Sequence, residues 1–350
     1  MTLVHEPLPI RKVYFGDGST ENLGFVLEKE IRNPIIATSR SVSRTIFFDA
    51  FSNFVALTTS KKPEVFNKIS QHSPVEEINE LIEMIATDDY DGVIAIGGGS
   101  VIDSSKIARI RNGKRLPMVA IPTTLSAAEF SHIAGYSEGN VKKGRRGMEY
   151  VADFVVLDPS ACIETPEQLW RSTGVRSLDH AIEAALDTPD WSPFLWSSKK
   201  SIDLLMDFLP KKNIEAIAHC QEASWLSYMN VFNSPMGLSH SIGKVIGARF
   251  GIPHGITSCL TLPGVLRYYA KKSPERIYPL TSKFFSDRDA QKSILKFSNM
   301  IEDFIDSLGL GKKFADYAVG RQELVSVLSQ LNITDSELID ELVGKASGAT

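Results

Sequence analysis

Cysteine is scarce in this sequence, and its few copies are widely spaced. The three cysteines are Cys162, Cys220 and Cys259, and no CxxC pair occurs. A disulfide framework or a cysteine-bound zinc site is built from closely recurring cysteines, so neither is expected here. The spacing instead favours a protein whose thiols stay reduced, as in the cytoplasm.

Long apolar runs and an excess of basic charge are also absent. No stretch reaches the roughly 18 consecutive apolar residues of a transmembrane helix, and the N-terminal MTLVHEPLPIRK lacks the apolar core of a signal peptide. The formal net charge of −4 at pH 7 offers no bulk positive field for nucleic acid. We therefore expect a cytoplasmic protein that acts on neither membranes nor nucleic acid.

Apolar residues are abundant enough for sizeable cores, since they make up 43% of 350 residues. Within residues 1–160, short apolar runs bounded by Gly, Pro or Asp alternate with helical patterns. Such runs are typical of strands covered on both faces. The predicted strands are KVYFG (12–16), PIIAT (34–38), TIFFDA (45–50), GVIAI (92–96), MVAIP (118–122) and FVVLD (154–158).

Helical patterns set the domain organisation. The segment at 73–92 repeats apolar residues at helical spacing between two predicted strands, which predicts a mostly parallel, doubly wound α/β domain over 1–160. Within 161–350 convincing strand runs are lacking, so we predict an all-helical second domain. Its predicted helices lie in 165–188, 192–210, 213–232, 291–309 and 321–332.

A glycine-rich stretch, GGGSVIDSSK, follows the predicted strand GVIAI and opens a helical pattern. Backbone N–H groups at a helix N-terminus carry partial positive charge, and glycine lacks the Cβ that would block a phosphate. Gly97, Gly98, Gly99 and Ser100 are therefore candidate pyrophosphate ligands. A tight strand-to-helix turn is the alternative interpretation.

The next predicted strand ends in IPTTLSAAEFS. Thr123 and Thr124 place two hydroxyls at the carboxyl edge of the sheet, where open α/β sheets bind ligands. Two neighbouring loops with phosphate-compatible chemistry strengthen the prediction of a dinucleotide site. Helix capping is the alternative role for the two threonines.

Four segments carry a family resemblance. GGGSVIDSSK, IPTTLSAAEFS, SLDHAIEA and GLSHSIGKVIGARFGIPHG occur in the order found in the iron-containing alcohol dehydrogenase family, which the chain resembles over nearly its whole length. PTTLSAAEFS and KVYFGDGSTENL look most like the maleylacetate reductase branch. The resemblance implies a dinucleotide-binding α/β domain, a helical C-terminal domain as in dehydroquinate synthase, an active site in the cleft between them, and a homodimer.

The resemblance also assigns cofactor residues. The glycine stretch would hold the pyrophosphate, and Thr123, Thr124 and Leu125 would line the phosphates, ribose and nicotinamide. Lys142 is a further candidate contact of the cofactor, and a solvated loop charge is its alternative role. The full set of candidate cofactor residues is Ser39, Arg40, Gly97, Gly98, Gly99, Ser100, Asp103, Thr123, Thr124, Leu125, Ser126 and Lys142.

One position bears on the choice of cofactor. Many members of the family carry an acidic residue after the second strand, where it binds the adenosine ribose. Here PIIAT runs into Ser39 and Arg40, and an arginine without a carboxylate favours a 2′-phosphate. We predict NADP(H) over NAD(H), with a solvated loop charge as the alternative role of Arg40.

Three histidines stand where the family's metal-dependent members have metal ligands: His180, His240 and His254. Converging imidazoles suit Zn²⁺ or Fe²⁺. The family's fourth ligand is an aspartate four residues before the first histidine, and this chain has Arg176 there. Because a guanidinium stays protonated and repels a cation, we predict no bound metal. If a metal does bind, the three histidines are the expected ligands.

Lys244 follows His240 by one helical turn, where metal-dependent members often carry another histidine. Maleylacetate reductases also lack the aspartate and reduce without a bound metal. Arg176 and Lys244 would form a cationic pocket for an anionic substrate and stabilise a developing alkoxide. One of the histidines would donate the proton. The alternative is that Arg176 pairs with Asp179 and is purely structural.

These residues together predict a metal-independent reductase. It would move a hydride between NADP(H) or NAD(H) and a carbonyl or enone of a small anionic molecule, such as a maleylacetate-like keto acid. A metal-dependent alcohol or polyol dehydrogenase using iron or zinc is one alternative. A scaffold reused for a non-redox lyase or cyclase, or for binding, is another. The predicted catalytic residues are Arg176, His180, His240, Lys244 and His254.

Overall fold

The computed structural model describes residues 5–110, 115–139, 141–231 and 237–343. The chain divides into two compact units, the first comprising Met1–Pro166 and Lys211–Trp225, and the second Glu167–Pro210 and Leu226–Thr350. The sequence-based division at residue 160 puts residues 211–225 in the second domain, whereas in the structure they group with the first unit.

Parallel strands form the centre of the first unit. The strands are β1 (Lys12–Phe15), β2 (Pro34–Thr38), β3 (Glu64–Phe66), β4 (Gly92–Gly97), β5 (Met118–Pro122), β6 (Ile133–Glu138), β7 (Val141–Arg146) and β8 (Phe154–Leu157). Six of them make one parallel sheet in the order β1-β8-β5-β4-β2-β3. The other two, β6 and β7, form an antiparallel hairpin. The doubly wound α/β prediction is confirmed.

The sheet reverses its winding direction between β2 and β4. From β2 the chain runs outward to β3, then returns to β4 on the other side of β2, and continues to β5. The carboxyl ends of β2, β4 and β5 therefore lie side by side. In open α/β sheets such a switch point is the usual place for a ligand.

Helices α1 (Gly24–Lys29), α2 (Ile46–Thr59), α3 (Val75–Thr87) and α4 (Gly99–Ala108) complete the first unit. The start of α2 corrects the strand predicted at 45–50. Thr45 accepts the backbone N–H of Phe48 at 3.2 Å and so caps the helix. Phe48, Phe51 and Val55 are buried at helical spacing, so the apolar side chains of this segment lie on one buried face of a helix.

The second unit is helical, and the described residues assigned to it contain no strand, which confirms the all-α prediction. The remaining helices are α5 (Glu167–Ala184), α6 (Pro193–Phe208), α7 (Ile214–Tyr228), α8 (Leu238–Phe250), α9 (His254–Lys272), α10 (Tyr278–Thr281), α11 (Ala290–Ser307), α12 (Arg321–Gln330) and α13 (Ser336–Val343). Helix α7 belongs to the first unit up to Trp225. None of the helices described has the length and apolar character needed to cross a membrane.

Candidate active site

The glycine stretch forms the turn between β4 and α4. A Cβ at Gly97 would lie 2.6 Å from Cγ2 of Val101, so a side chain there would collide with the first turn of α4. A Cβ at Gly98 would lie 3.2 Å from Cγ2 of Thr124, in the loop after β5. The glycines thus let two neighbouring loops approach each other at the carboxyl edge of the sheet.

Ser100 is held by the loop that precedes α3. Its hydroxyl accepts the backbone N–H of His72 at 3.0 Å, and its carbonyl accepts the hydroxyl of Ser73 at 3.0 Å. The side chain of Ser100 therefore has a protein partner. The group that this segment offers to a phosphate is the N-terminus of the ten-residue helix α4, with its partial positive charge.

The loop after β5 lies against the glycine stretch, as the sequence predicts. The backbone N–H of Thr123 donates to the carbonyl of Gly97 at 3.0 Å. The hydroxyl of Thr124 lies 3.4 Å from that of Ser126, whose Oγ would be 3.1 Å from a Cβ at Gly99. Two hydroxyls thus stand beside the α4 N-terminus, and next to them Leu125 is fully buried.

Asp103 contacts the β6–β7 hairpin, and Lys142 lies within its strand β7. Asp103 accepts the backbone N–H of Gly135 in β6 at 2.9 Å, and its other oxygen is 3.4 Å from Nζ of the fully buried Lys106. Its carboxylate therefore ties α4 to β6.

Lys142 affects a histidine in the loop before α3. Burial lowers the pKa of His72, and the charge of Lys142 lowers it further. Lys142 is thus close to the loop that holds Ser100.

Ser39 and Arg40 follow β2 at the switch point. Arg40 is exposed, and its carbonyl accepts the hydroxyl of Ser43 at 3.1 Å. The hydroxyl of Ser39 lies 3.1 Å from that of Ser41. An exposed guanidinium and a group of serine hydroxyls thus stand at the end of the strand next to β4.

Three helices bring the histidines together within the second unit. Helix α5 supplies His180, α8 supplies His240, and α9 begins at His254. The ring centroids of His180 and His240 are 5.4 Å apart, and those of His240 and His254 are 5.6 Å apart. The three imidazoles that the sequence singles out therefore form one cluster.

Arg176 lies inside this cluster. Its Nη2 atom is 2.5 Å from Nδ1 and 2.7 Å from Nε2 of His240, and 2.7 Å from Nε2 of His254. Its Nη1 donates to the hydroxyl of Ser258 at 2.9 Å. A guanidinium has only donors, so His254 must accept at Nε2. A neutral imidazole in that position carries its proton on Nδ1, which makes Nδ1 a donor.

This arrangement does not fit a metal ion. The Nε2 atoms of His240 and His254 face a guanidinium that is only 3% exposed, and a metal would have to share that space with a permanent positive charge. Within the described part of the chain, no group of three or more His, Cys, Asp or Glu side chains is arranged to hold a metal.

The electrostatics of the cluster keep two of its imidazoles neutral. Burial lowers the pKa of His180 and of His240 well below the usual range, and the charge of Arg176 lowers both further. Lys244, exposed one turn after His240 on α8, adds a smaller effect of the same sign on His240. A neutral imidazole has the lone pair that the guanidinium requires as its acceptor.

Two buried carboxyl groups complete the cluster. Asp179 lies 3.6 Å from Nη1 of Arg176, one turn away on α5. Glu183 accepts the backbone N–H of His240 at 3.3 Å, near the start of α8. Burial, followed by the neighbouring Asp179, raises the pKa of Glu183 well above its usual range. Asp179 is therefore the carboxyl group of the cluster that lies within ion-pair distance of Arg176.

Sequence reasoning missed two members of the cluster. Ser258 follows His254 by four residues on α9, and that helical spacing could have pointed to it. Tyr228, at the end of α7, sets its ring edge-on to His180 with centroids 5.4 Å apart. No motif surrounds Tyr228, so only the fold identifies it.

Two family descriptions match most of the chain. Residues 10–159 match the iron-containing alcohol dehydrogenase family, and residues 171–340 match the C-terminal domain of the Fe-containing alcohol dehydrogenase family. These matches cover both the glycine stretch and the histidine cluster.

Individual relatives point to the same family. The dehydrogenase ALT3 of Alternaria alternata is 32% identical over 282 residues, which cover 67% of this chain and 71% of that protein. Maleylacetate reductase of Pseudomonas sp. strain P51 is 28% identical over 280 residues, which cover 78% and 77%. The crystal structure of maleylacetate reductase from Agrobacterium tumefaciens shares the fold, with a TM-score of 0.83 and 21% identity over 98% of this chain and 97% of that one. The chain therefore belongs to the iron-containing alcohol dehydrogenase family, near its maleylacetate reductase branch, and is an NAD(P)-dependent oxidoreductase.

Proposed function

We propose that this chain is a reductase that transfers a hydride from NADPH to the carbonyl carbon of a small anionic substrate without using a metal. The hydride enters the carbonyl carbon and a proton enters the oxygen, so the product is an alcohol and the cofactor leaves as NADP⁺. The observation that carries the proposal is the guanidinium of Arg176, which faces Nε2 of both His240 and His254.

The cofactor part of the proposal rests on the first unit. The N-terminus of α4 and the hydroxyls of Thr124 and Ser126 would bind the pyrophosphate. Arg40, exposed at the end of β2, would bind the 2′-phosphate, since a guanidinium matches a phosphate with paired hydrogen bonds. A preference for NADP(H) over NAD(H) follows from that contact.

The substrate part rests on the charges of the second unit. Arg176 and Lys244 are cationic, whereas His180 and His240 are held neutral. Fixed positive charge attracts a substrate carboxylate and stabilises the oxyanion that forms as hydride reaches the carbonyl. The maleylacetate reductases among the relatives support a keto acid as the substrate.

The donor to the carbonyl oxygen is proposed to be a histidine. A neutral imidazole N–H can polarise a carbonyl by hydrogen bonding, and His180 and His240 are the imidazoles whose pKa is lowered well below the usual range. Arg176 itself donates to His254 and Ser258, so its effect on the substrate is that of its charge and of the imidazoles that it orients.

The test combines cofactor binding, turnover and metal content. NADPH and NADH are titrated by fluorescence, and oxidation of each is then followed with carbonyl compounds that differ only in carrying a carboxylate or its neutral amide. The proposal expects tighter binding of NADPH and faster turnover of the carboxylates. Stoichiometric zinc or iron, lost with EDTA together with activity, would establish a metal-dependent alcohol or polyol dehydrogenase instead. Failure of both nucleotides to bind would leave a non-redox use of the scaffold.

A further inference from the structure

The geometry points to Asp179 and Ser258 as positioning residues that hold Arg176 in register with the histidines. This inference rests on the proposed function, because it assigns the groups that orient the guanidinium used there. Neither residue is expected to touch the substrate. Each acts through Arg176.

The contact between Arg176 and Asp179 passes largely through a hydroxyl. Nη1 of Arg176 donates to Oγ of Ser258 at 2.9 Å, and the same hydroxyl donates to Oδ2 of Asp179 at 2.7 Å. The direct separation of Arg176 and Asp179 is 3.6 Å, longer than an ordinary hydrogen bond. Ser258 therefore decides the direction in which Nη1 points.

A second hydroxyl fixes the carboxylate itself. Ser239 donates to the same Oδ2 atom of Asp179 at 3.1 Å and lies 2.8 Å from the hydroxyl of Thr261. Ser258 on α9 and Ser239 on α8 thus join their helices to α5 through the carboxylate of Asp179. These are the helices that carry His254, His240 and His180, respectively.

Burial makes the hydrogen bonds from Arg176 through Ser258 to Asp179, here called the relay, difficult to replace by water. Asp179 is 0% exposed and Ser258 is 0% exposed, so water cannot replace a lost hydroxyl partner without entering the core. If the hydroxyl of Ser258 is removed, the guanidinium gains freedom to turn toward Asp179. Its Nη2 would then leave Nε2 of His254 and His240, and the imidazoles would lose the donor that orients them.

Replacement of Ser258 by alanine or threonine tests this role in the full-length enzyme. Ser258→Ala is expected to lower kcat for a carboxylate-bearing carbonyl by about 10- to 100-fold, since small displacements of catalytic groups cost that much. The KM for NADPH should stay unchanged, because the cofactor residues are on the first unit. Ser258→Thr, which keeps the hydroxyl, should restore most of kcat.

The matched control is another buried serine of the second unit. Ser298 donates to the carbonyl of Pro263 at 3.0 Å and is 0% exposed. Ser298→Ala should lower the melting temperature about as much as Ser258→Ala while leaving kcat unchanged. Equal kcat values for Ser258→Ala and the wild type, or a loss that Ser258→Thr fails to restore although it folds, would overturn the positioning role.

A double-mutant cycle keeps the inference testable if the proposed reaction is wrong. Asp179→Asn, Ser258→Ala and the double variant are compared by urea unfolding. A relay predicts non-additive effects, equivalent to a coupling of about threefold or more in the unfolding equilibrium constant. Additive effects would overturn the relay whatever the activity. Absence of NAD(P)H oxidation by the wild type, together with clear coupling, would overturn only the proposed function.

Discussion

Nη2 of Arg176 lies 2.7 Å from Nε2 of His254, and the guanidinium must be the donor across that distance. In an iron or zinc site, an imidazole nitrogen offers the same lone pair to the metal. Here the lone pair is used by a cation that belongs to the chain. The consequence is a set of predictions that separate a resident guanidinium from a resident metal.

Chelation is the first of them. We expect the purified enzyme to keep its NADPH-dependent activity after exhaustive dialysis against EDTA, because the groups at the cluster already have a cationic partner. Elemental analysis should find far less than one metal ion per chain. Loss of activity on chelation that returns with added zinc or iron would contradict this expectation.

Replacing Arg176 should harm activity and stability by separable routes. Arg176→Met leaves the carboxylate of Asp179 buried without its cation, which should cost about 3–5 kcal/mol of unfolding free energy. Arg176→Met combined with Asp179→Asn should recover most of that stability. Both variants should lose about 100-fold in kcat/KM, because the charge that stabilises the oxyanion is absent from each.

The control for these variants lies on the same helix. Arg171 is half-buried, pairs with Glu167 and donates to the carbonyl of Leu308 at 3.0 Å, contacts that contribute about 1–2 kcal/mol in all. Arg171→Met should therefore leave kcat/KM close to the wild-type value and lower the unfolding free energy by less than Arg176→Met does. A double variant of Arg176 and Asp179 with normal kcat/KM would show that the pair is purely structural.

Helical spacing predicts part of this cluster from sequence. Arg176 and His180 are four residues apart, so their side chains share one face of α5. The partners of Arg176 are not predictable in the same way, because Ser258 and His254 arrive from a helix about 80 positions later in the chain. Asp179, which the sequence suggests only as a direct partner of Arg176, accepts the hydroxyl of Ser258 in the structure.

Cofactor preference depends on Arg40. Arg40→Ala should raise the KM for NADPH by about tenfold, the loss expected when one exposed charge-assisted contact worth about 1.4 kcal/mol disappears. The KM for NADH should not change, since NADH lacks the 2′-phosphate. Arg32→Ala, an exposed arginine just before β2 at the opposite end of the strand, is the control. Equal changes for both cofactors would rule out a 2′-phosphate contact.

The fold of the first unit was predictable where burial is complete. β2, β4 and β5 are buried along their whole length, and continuous apolar runs report that directly. The β6–β7 hairpin was missed because β7 reads VKKGRR and is largely exposed, so it has no apolar alternation to detect. The strand predicted for TIFFDA was wrong. Its aromatic and β-branched residues are typical of a strand, but Thr45 caps a helix that begins at Ile46.

A single methyl group added to the glycine stretch tests whether this stretch binds the dinucleotide. Gly98→Ala puts a methyl group 3.2 Å from Cγ2 of Thr124, close enough to shift that loop by a few tenths of an ångström. We expect dinucleotide affinity to fall about tenfold while the fold persists, since the methyl group also meets an approaching phosphate. Gly24→Ala, in α1 with no atom within 4 Å of the new Cβ, should not alter affinity. Unchanged cofactor binding in Gly98→Ala would argue that the stretch is only a turn.

The stability of the first unit should depend on pH through Glu129. This residue is 1% exposed, and burial raises its pKa to about 7, against about 4.5 in an exposed chain. Its contribution to stability is therefore fully present below about pH 4.5 and is lost as the pH rises through 7. Glu129→Gln, which cannot ionise, should be more stable than the wild type by about 2–3 kcal/mol at pH 8 and similar to it at pH 4.5. Urea unfolding at both pH values measures the difference, and Glu76→Gln on the exposed side of α3 controls for net charge. A stability difference that is the same at both pH values would show that Glu129 ionises in the folded chain without cost.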